Sequence, residues 1–421
     1  MLKYSKCGSY FTAEEYFKYV KSRSDSAVEV LCERCKRDAV AEEIANVHFR
    51  DIVLLYNLLY NKGDRYKGGI DIDTNEINLD WNSKDAVSRY IRQMTFKPFG
   101  VDGQERLLKS RVLVVGCGGL GSTIAEILVR SGVGYIRLVD RDYVEMHNIH
   151  RQILYDESDI YKPKAIAASE KLKKINSEVE IDAYDTDFNG ATALRLIDGI
   201  DLMVDGTDNF QVRFLMNDLA VRFGIPWIYG ATIGGYGSIM DIIPGETPCL
   251  RCYIRDMPAP GTFDTCETGG ILSPLPNIIG SIEALEAIKY LSGNQETMIK
   301  GLLFIDAWFN SYNIVNIKRN DECPCCIQED FQFLNLNNPD TVSLCSSDSF
   351  EVFPYVMDSI NLKSIYDRLK EVGIDVSISP YLLSFETEGK RLTLFRDGRA
   401  IIKGAKNKGE AKEIYARYIG F

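Results

Sequence analysis

The segment RVLVVGCGGLG, residues 111–121, is the feature that most narrows the folds open to this chain. Gly116, Gly118 and Gly121 follow the spacing G-x-G-x-x-G, directly after an apolar run and before an amphipathic stretch. Glycines here permit a tight strand-to-helix turn and let backbone amides approach a phosphate at the helix N-terminus. The next apolar run ends in Asp140, 140 − 121 = 19 residues after the last glycine, where a ribose-binding carboxylate is expected. The pattern therefore predicts a nucleotide-binding βαβ unit.

The pattern around this unit predicts an α/β protein. From residue 86 to about 327, apolar runs alternate with amphipathic stretches, which indicates a Rossmann-like, doubly wound, mostly parallel sheet. The predicted strands are RVLVVG, YIRLVD, EIDAYD, DLMVDG and PWIYGA. We expect a helical N-terminal extension over 1–85, a linker over 328–349 and a small α+β domain over 350–421, with an antiparallel sheet and packed helices. One predicted helix, NIIGSIEALEAIKYL, has an apolar stripe that favours core or dimer packing, namely Ile278, Ile282, Leu285, Ile288 and Leu291.

Composition excludes several classes of protein. The 421 residues contain 49 Lys plus Arg and 60 Asp plus Glu, a net charge of −11, which disfavours nucleic-acid binding. No run approaches the roughly 20 apolar residues that span a bilayer, so no membrane partner is expected. The start MLKYSKCGSYFTAEE has no apolar core of a signal peptide, so we expect a cytoplasmic protein. In that compartment the 11 cysteines are expected to be metal ligands, reactive thiols or core residues rather than disulfides.

Polar residues beyond Asp140 indicate what the nucleotide is used for. Asn148, Arg151, Gln152 and Lys164 all follow within 25 residues, and cations there suit a polyphosphate whose charge changes in the transition state. The alternative is a solvated helix start with surface charges. Asp208 follows the run DLMVDG at the ligand-binding edge of the sheet, where it could anchor Mg²⁺. Its alternative role is the N-cap of the helix FQVRFLMNDLA.

Two C-x-x-C pairs predict a structural metal. Cys249 and Cys252 form the first pair, Cys323 and Cys326 the second, with 323 − 252 − 1 = 70 residues between them. Four thiolates satisfy tetrahedral Zn²⁺ without an open position. Cys325, inside the second pair, leaves the ligand ambiguous, and buried free cysteines or a redox pair remain the alternative. A second, less regular candidate site comprises Cys7, Cys32, Cys35 and His48.

Taken in order, nine segments resemble the ThiF/MoeB/HesA family over residues 86–327: RYIRQ, FGVDGQERL, VGCGGLGS, LVDRDYVEMHNIHRQ, KPKA, DGTDN, CLRC, GSIEALEAIK and CPCC. The resemblance implies an enzyme, a nucleotidyltransferase related to ubiquitin-activating enzymes. It would adenylylate the C-terminal glycine carboxylate of a ubiquitin-like sulfur-carrier protein ending in Gly-Gly, and release pyrophosphate. ATP, Mg²⁺ and a structural Zn²⁺ at the four-cysteine site are the implied cofactors.

The resemblance also implies site residues. ATP would be held by Gly116, Gly118, Gly119, Gly121 and Asp140, with Asn148, Arg151, Gln152 and Lys164 around its phosphates. Asp208 would position Mg²⁺. Arg92 in RYIRQ looks like the arginine that family members pass into the other subunit, which implies a homodimer. Cys266 lies in the loop MPAPGTFDTCETGGILSPLP, where some members carry a thiol that forms a persulfide or an acyl linkage. The following ETGGIL departs from the common pattern, so a dispensable loop cysteine stays the alternative.

The reaction agrees with the residues present. A C-terminal carboxylate is ionised at neutral pH and needs no general base, and the chain has only three histidines. No rhodanese-like domain is apparent, so sulfur is expected from a separate cysteine desulfurase. The carrier's pathway, whether thiamine, molybdopterin or tRNA thiolation, stays open at this point. A non-catalytic scaffold for a ubiquitin-like protein and a nicotinamide-dependent oxidoreductase are the competing functions.

Overall fold

A computed structural model describes residues 2–3, 10–11, 84–258, 268–334, 341–343, 349–352 and 360–420. The chain divides into two compact units, Met1–Asn78 and Leu79–Phe421. In the first unit, the strands β1 (Leu2–Lys3) and β2 (Tyr10–Phe11) pair antiparallel. The helices predicted before residue 84 and the candidate site at Cys7, Cys32, Cys35 and His48 lie outside the described residues.

An eight-stranded sheet forms the centre of the second unit, in the order β10-β9-β8-β7-β6-β3-β4-β5. Its strands are β3 (Arg111–Val115), β4 (Tyr135–Asp140), β5 (Glu180–Asp185), β6 (Leu202–Asp205), β7 (Trp227–Ile233), β8 (Tyr236–Ile242), β9 (Leu302–Asp306) and β10 (Ser311–Val315). The five neighbouring strands β7, β6, β3, β4 and β5 are parallel to one another. The strands β8, β9 and β10 continue the sheet in antiparallel pairs. The predicted Rossmann-like, mostly parallel sheet is confirmed, and β8 to β10 were not predicted.

Helices cover both faces of this sheet. They are α1 (Lys84–Met94), α2 (Gly100–Lys109), α3 (Gly119–Ser131), α4 (Lys164–Ile175), α5 (Gly190–Leu196), α6 (Phe210–Phe223), α7 (Leu250–Tyr253) and α8 (Pro274–Ser292). Two buried clusters, one on each side of the sheet, form the core. Among the described residues, no helix combines the length and the apolar character that crossing a bilayer requires.

The N-terminus of α6 decides between the two roles considered for Asp208. The cap is Asn209, whose side-chain oxygen accepts hydrogen bonds from the backbone amides of Gln211 and Val212. An Asn side chain there satisfies amides that have no partner within the helix. The N-cap interpretation of Asp208 is therefore wrong.

The stripe expected on α8 forms only part of its buried face: Leu291 lies in the core, and Ile282 and Ile288 pack against it. Leu285 of that stripe is 48 % exposed, whereas Ile279, Glu283 and Glu286 are fully buried. Both carboxyl oxygens of Glu283 lack a hydrogen-bond partner among the described residues, and burial raises the pKa of Glu283 well above its usual value. The helix therefore packs a face containing a neutral acid, Glu283, against the sheet, which hydrophobic spacing alone does not predict.

A buried pair of acids lies between α8 and β8. Asp241 and Glu286 each accept a hydrogen bond from the backbone amide of Ile299, at 3.0 and 2.9 Å. Burial, together with the neighbouring Glu286, raises the pKa of Asp241 to about 9. The folded state therefore holds this proton far more tightly than the unfolded chain, where Asp titrates near about 4.

We expect this pair to make stability depend on pH. Because the folded pKa is raised, the free energy of unfolding should fall between about pH 4 and pH 9, by up to about 1.4 kcal/mol per pH unit. Thermal melts at pH 6 and pH 9 should show a smaller drop for Asp241→Asn than for wild type. The exposed Asp198→Asn is the control and should follow wild type. An equal fall in melting temperature for Asp241→Asn and wild type would contradict the raised pKa of Asp241.

A second, antiparallel sheet of six strands follows in the chain, in the order β11-β12-β16-β15-β14-β13. Its strands are β11 (Thr341–Ser343), β12 (Ser349–Val352), β13 (Val376–Ile378), β14 (Leu382–Thr387), β15 (Lys390–Phe395) and β16 (Ala400–Lys403). The helices α9 (Leu362–Glu371) and α10 (Lys408–Tyr418) pack on it around a separate core. The predicted antiparallel α+β arrangement is confirmed. The segment expected to be a plain linker contains β11 and the buried Phe333, whose ring lies 4.8 Å from that of Phe214.

Candidate active site

The glycine turn between β3 and α3 requires its glycines for two different reasons. Gly116 has a φ of +86°, and a Cβ there would lie 2.7 Å from the carbonyl oxygen of Gly206. A Cβ on Gly121 would lie 1.8 Å from the carbonyl oxygen of Gly116. The turn is thus locked against β6 and α3, with Gly118 and Gly119 facing a cavity. Backbone amides at such a helix N-terminus are suited to an anion.

That cavity has a volume of about 540 Å³ and lies at the carboxyl ends of the parallel strands. In a doubly wound sheet this edge is where ligands bind. Of the predicted site residues, the cavity is lined by Gly116, Gly118, Gly119, Asp140, Asn148, Arg151, Gln152, Lys164 and Asp208. The tertiary structure therefore brings together residues that are up to 92 positions apart (208 − 116).

Asp140 and Lys164 are two charged residues of the cavity lining. Asp140 accepts hydrogen bonds from the amides of Cys117, at 2.6 Å, and Asp142, at 2.7 Å, so it also holds the glycine turn. Lys164 is almost fully buried, and its Nζ lies 3.0 Å from Asp142 Oδ2. Burial alone would lower the pKa of Lys164, but Asp142 and Asp140 raise it above its usual value. Lys164 is therefore a permanent cation inside the cavity.

The segment after Asp142 contributes further polar side chains to the cavity lining. Glu145 and Asn148 cap each other around the 3₁₀ turn Met146–Asn148, and Arg151 donates a hydrogen bond to the His147 carbonyl oxygen at 2.9 Å. Gln152 is only 3 % exposed, and its Oε1 has no hydrogen-bond partner within the described ranges. A buried amide oxygen without a partner is costly. Because Gln152 lies on the cavity wall, a ligand or water in the cavity can donate the missing hydrogen bond to its Oε1.

Asp208 is exposed at the cavity rim, and it raises the pKa of Lys164. Its backbone is held by a buried ion pair, in which Arg213 Nε lies 2.7 Å from Asp205 Oδ2. Arg213 also donates to the carbonyl oxygens of Thr207, at 2.6 Å, and Gly230, at 2.8 Å. Sequence analysis did not predict this ion pair. The one signal for it in the sequence is Asp205, an acid at the end of an otherwise apolar strand.

Tyr155 is a further buried residue that holds the site in place and that sequence analysis did not predict. Its hydroxyl donates to the carbonyl oxygen of Cys117 at 2.8 Å and to that of Lys164 at 3.1 Å. It thereby joins the glycine turn to the start of α4. The motif that contains Tyr155 offered no signal of this contact, because the two partners are 47 residues apart (164 − 117).

One predicted site residue does not line the cavity, and another lies outside the described residues. Arg92 is exposed on α1 and is not among the described residues that line the cavity. Cys266 lies in 259–267, outside the described residues. Their roles stay predictions.

Four cysteines form a separate cluster beneath α6. The Sγ atoms of Cys249, Cys252, Cys323 and Cys326 all lie within 4.8 Å of one another, and the closest pairs are 3.5 Å apart. Tetrahedral Zn²⁺ with bonds of about 2.3 Å needs sulfur separations of roughly 3.8 Å, which this donor set fits. Cys325 is outside the cluster and accepts a hydrogen bond from Asn217 at 3.2 Å. The ambiguity within CPCC is resolved in favour of Cys326.

Comparison with known proteins agrees with this geometry. The family model described as "ThiF family" matches residues 90–325. The "Sulfur carrier protein ThiS adenylyltransferase" of Bacillus subtilis is 38 % identical over 340 residues, 79 % of this chain and 100 % of that protein. The "Sulfur carrier protein adenylyltransferase" of Thermus thermophilus is 38 % identical over 59 % of this chain and 94 % of that protein. The crystal structure titled E. coli MccB with ATP has a TM-score of 0.50 and 25 % identity, over 56 % of this chain and 74 % of that chain.

Proposed function

Since this chain belongs to the ThiF family, we propose that it adenylylates the C-terminal glycine carboxylate of a ubiquitin-like sulfur carrier with ATP. The observation that supports this most strongly is the lining of the cavity at the sheet edge. It combines a glycine turn at a helix N-terminus with the buried cation Lys164, with Arg151 and with the carboxylate Asp208. That combination suits a triphosphate, and the related MccB structure is titled as an ATP complex.

The residues of the cavity fit the chemistry of this reaction. The carrier's carboxylate attacks the α-phosphorus, an acyl-phosphate bond forms, and the bond to pyrophosphate breaks. Both reactants are anions, so the barrier lies in charge repulsion and alignment rather than in proton removal. Lys164 and Arg151 neutralise the phosphates, and Gln152 offers an amide for orientation. Asp208, with phosphate oxygens, provides the oxygen donors that Mg²⁺ prefers, and the ion would supply further neutralisation when bound.

We place the carrier on an apolar surface beside the cavity. Trp308 and Phe309, 67 % and 74 % exposed, lie in the turn between β9 and β10, with four further exposed side chains. These are Tyr236, Phe304, Tyr312 and Ile314. The surface reaches the cavity, because Trp308 and Leu272 flank Gly235, next to the bridge between Gly234 and the cavity residue Ile271. A folded carrier bound there could extend its C-terminal Gly-Gly into the cavity.

The proposal includes a homodimer. Arg92 is exposed and lies away from the lining of its own cavity, so a role for it requires a second subunit. There it would add a cation beside the phosphates. Sulfur would come from a cysteine desulfurase, for thiamine or molybdopterin synthesis. The Bacillus relative is named for ThiS and aligns over its whole length, so a ThiS-like carrier is the first to test.

Two other functions explain the cavity less well. A nicotinamide-dependent oxidoreductase shares the glycine turn but has no use for Lys164, Arg151 and Asp208 around its phosphates. A non-catalytic scaffold has no need for a complete set of phosphate-binding groups.

We expect purified protein to catalyse ATP–pyrophosphate exchange that depends on a carrier ending in Gly-Gly. Removal of the carrier's last glycine should lower exchange by at least about 100-fold, because the attacking carboxylate no longer reaches the α-phosphate. Hydride transfer with a nicotinamide cofactor is the matched negative assay. Exchange that is equally fast without carrier would contradict the proposed substrate.

The same assay places Cys266 in the sequence of steps. We propose that its thiolate acts after adenylation, where attack on the acyl-adenylate forms an acyl linkage and releases AMP. Cys266→Ala should therefore slow formation of the carrier thiocarboxylate while exchange continues at a rate close to that of wild type. Normal thiocarboxylate formation would show Cys266 to be dispensable, and loss of exchange in folded protein would refute this order.

A further inference from the structure

The C-terminal sheet is packed directly against the loop that follows β4. Tyr143 of that loop forms one buried cluster with Leu382, Phe395 and Ile401 of the C-terminal sheet. The rings of Tyr143 and Phe395 have centroids 6.0 Å apart. Because the same loop continues to Asn148 and Arg151, this apolar contact places the C-terminal sheet beside the cavity.

A buried arginine adds a polar contact at the same junction. Arg399 is 1 % exposed as a side chain, and it lies 2.7 Å from Asp185 Oδ1 and 3.0 Å from Glu351 Oε1. It also donates a hydrogen bond to the carbonyl oxygen of Arg141, at 3.2 Å. Asp185 ends β5 and Arg141 follows β4, so the contacts are made at the strand ends that border the cavity. Charged hydrogen bonds of this kind fix orientation as well as position.

Lys403 is the cation that the C-terminal sheet contributes to the cavity lining. Its Nζ lies 2.8 and 2.9 Å from the two oxygens of Glu145, which lines the same cavity. The Lys403 side chain keeps 37 % of its surface exposed, so the ammonium group can turn toward a ligand. Glu145 in turn caps the 3₁₀ turn that presents Asn148.

We propose that Lys403 belongs to the ATP site, where it offsets the charge of Glu145 and presents a cation to the phosphates; this rests on the function proposed above. The cavity lining contains five carboxylates, and three cations of the Rossmann-like part of the chain oppose them. The acids are Asp140, Asp142, Glu145, Asp187 and Asp208, and the cations are Arg141, Arg151 and Lys164. Arg141 is already paired with Asp187. Lys164 is already paired with Asp142. Without Lys403, the charge of Glu145 would face the triphosphate uncompensated.

The ligand chemistry follows from this charge balance. A cation beside phosphates discriminates by ligand charge. Lys403 should therefore strengthen the binding of ATP strongly and the binding of uncharged adenosine little. A purely structural role would instead act through the position of the loop, and would affect both ligands alike. Glu145→Gln separates the two roles further, because glutamine can still accept the capping hydrogen bonds but has no charge.

The test is calorimetric binding of ATP and of adenosine to the full chain. Lys403→Gln should weaken ATP binding by about tenfold and adenosine binding by less than about twofold. Glu145→Gln should tighten ATP binding, because it removes a repulsive charge and releases Lys403. The double variant should fall between the two single variants. Lys408→Gln, an exposed lysine at the start of α10, is the matched control and should bind both ligands as wild type does.

Unchanged ATP affinity in Lys403→Gln would overturn the inference, and so would parallel weakening of both ligands in Lys403→Gln and Glu145→Gln. In both cases wild type still binds ATP, so the proposed function survives. Absence of ATP binding by wild type would overturn the proposed function, and this inference with it. The two failures are thus distinguishable.

Discussion

Lys164→Ala should lower carrier-dependent pyrophosphate exchange by about two to three orders of magnitude, because it removes the buried cation from the phosphate site. Lys164 lies 3.0 Å from Asp142 and shares the cavity with the glycine turn. Its loss also removes the cation that pairs with Asp142 and offsets the charge of Asp140, which adds to repulsion of ATP. The measurement is kcat and KM for exchange with saturating carrier.

Lys162→Ala is the matched control for this prediction. Lys162 is only two residues earlier, but its Nζ pairs with Asp159 at 3.1 Å and it does not line the cavity within the part of the chain that the structure describes. We expect exchange by this variant within about twofold of wild type, since pairs of this kind outside a site contribute little. Similar losses in both variants would indicate a stability effect rather than a site effect. Near-normal exchange by Lys164→Ala would refute the assignment of the cavity to ATP.

Cys249→Ser and Cys326→Ser should each abolish binding of one Zn²⁺ per chain and lower the melting temperature by at least about 10 °C. Zinc held by four thiolates contributes its binding free energy to folding, and loss of one ligand forfeits much of it. The four Sγ atoms join α7 to the segment after β10, so a bound metal would tie together parts of the chain about 70 residues apart. Metal analysis after purification without chelator gives the stoichiometry.

Cys325→Ser is the control for zinc, and it is a close one because Cys325 is adjacent to Cys326. Its thiol accepts from Asn217 instead of joining the cluster. We expect this variant to keep its zinc, at a stability cost of about 1 kcal/mol for the altered hydrogen bond. Zinc lost equally from Cys325→Ser would show that the ligand set is wrong. Zinc absent from wild type would show that the cysteines have another role.

The limits of the sequence are clearest where side chains are buried for a reason other than hydrophobicity. The stripe expected on α8 included Leu285, which is 48 % exposed, while Glu283 and Glu286 are buried. Hydrophobic spacing treats an acid as exposed, because a carboxylate is costly to bury. The cost is offset here by protonation of Glu283 and by the ion pair between Glu286 and Lys289, which are properties of the packed interior. A periodicity argument has no access to them.

The antiparallel half of the main sheet shows the same limit for a different reason. β3 to β7 are apolar runs between helices, and their pattern is local. β9 and β10 pair into a hairpin at the sheet edge and expose many of their side chains, among them Phe304 and Tyr312. An edge strand with exposed aromatic residues lacks the continuous burial that identifies a central parallel strand. Its pairing becomes evident only with the neighbouring strand in place.

By itself the sequence determined the nucleotide-binding unit, the family, and the identity of the groups around the cavity, from Gly116 to Asp208. Glycine spacing, strand-end acids and C-x-x-C pairs are local consequences of backbone sterics and ligand chemistry, so they can be read from residue order. Only the tertiary structure decided that Cys326 rather than Cys325 joins the cluster, that Asn209 caps α6, and that Lys403 faces Glu145. Lys403 and Glu145 are 258 residues apart (403 − 145), and their contact arises because a buried apolar cluster and Arg399 dock one sheet on the other. Contacts of that range depend on packing free energy summed over the whole fold, and no local pattern encodes them.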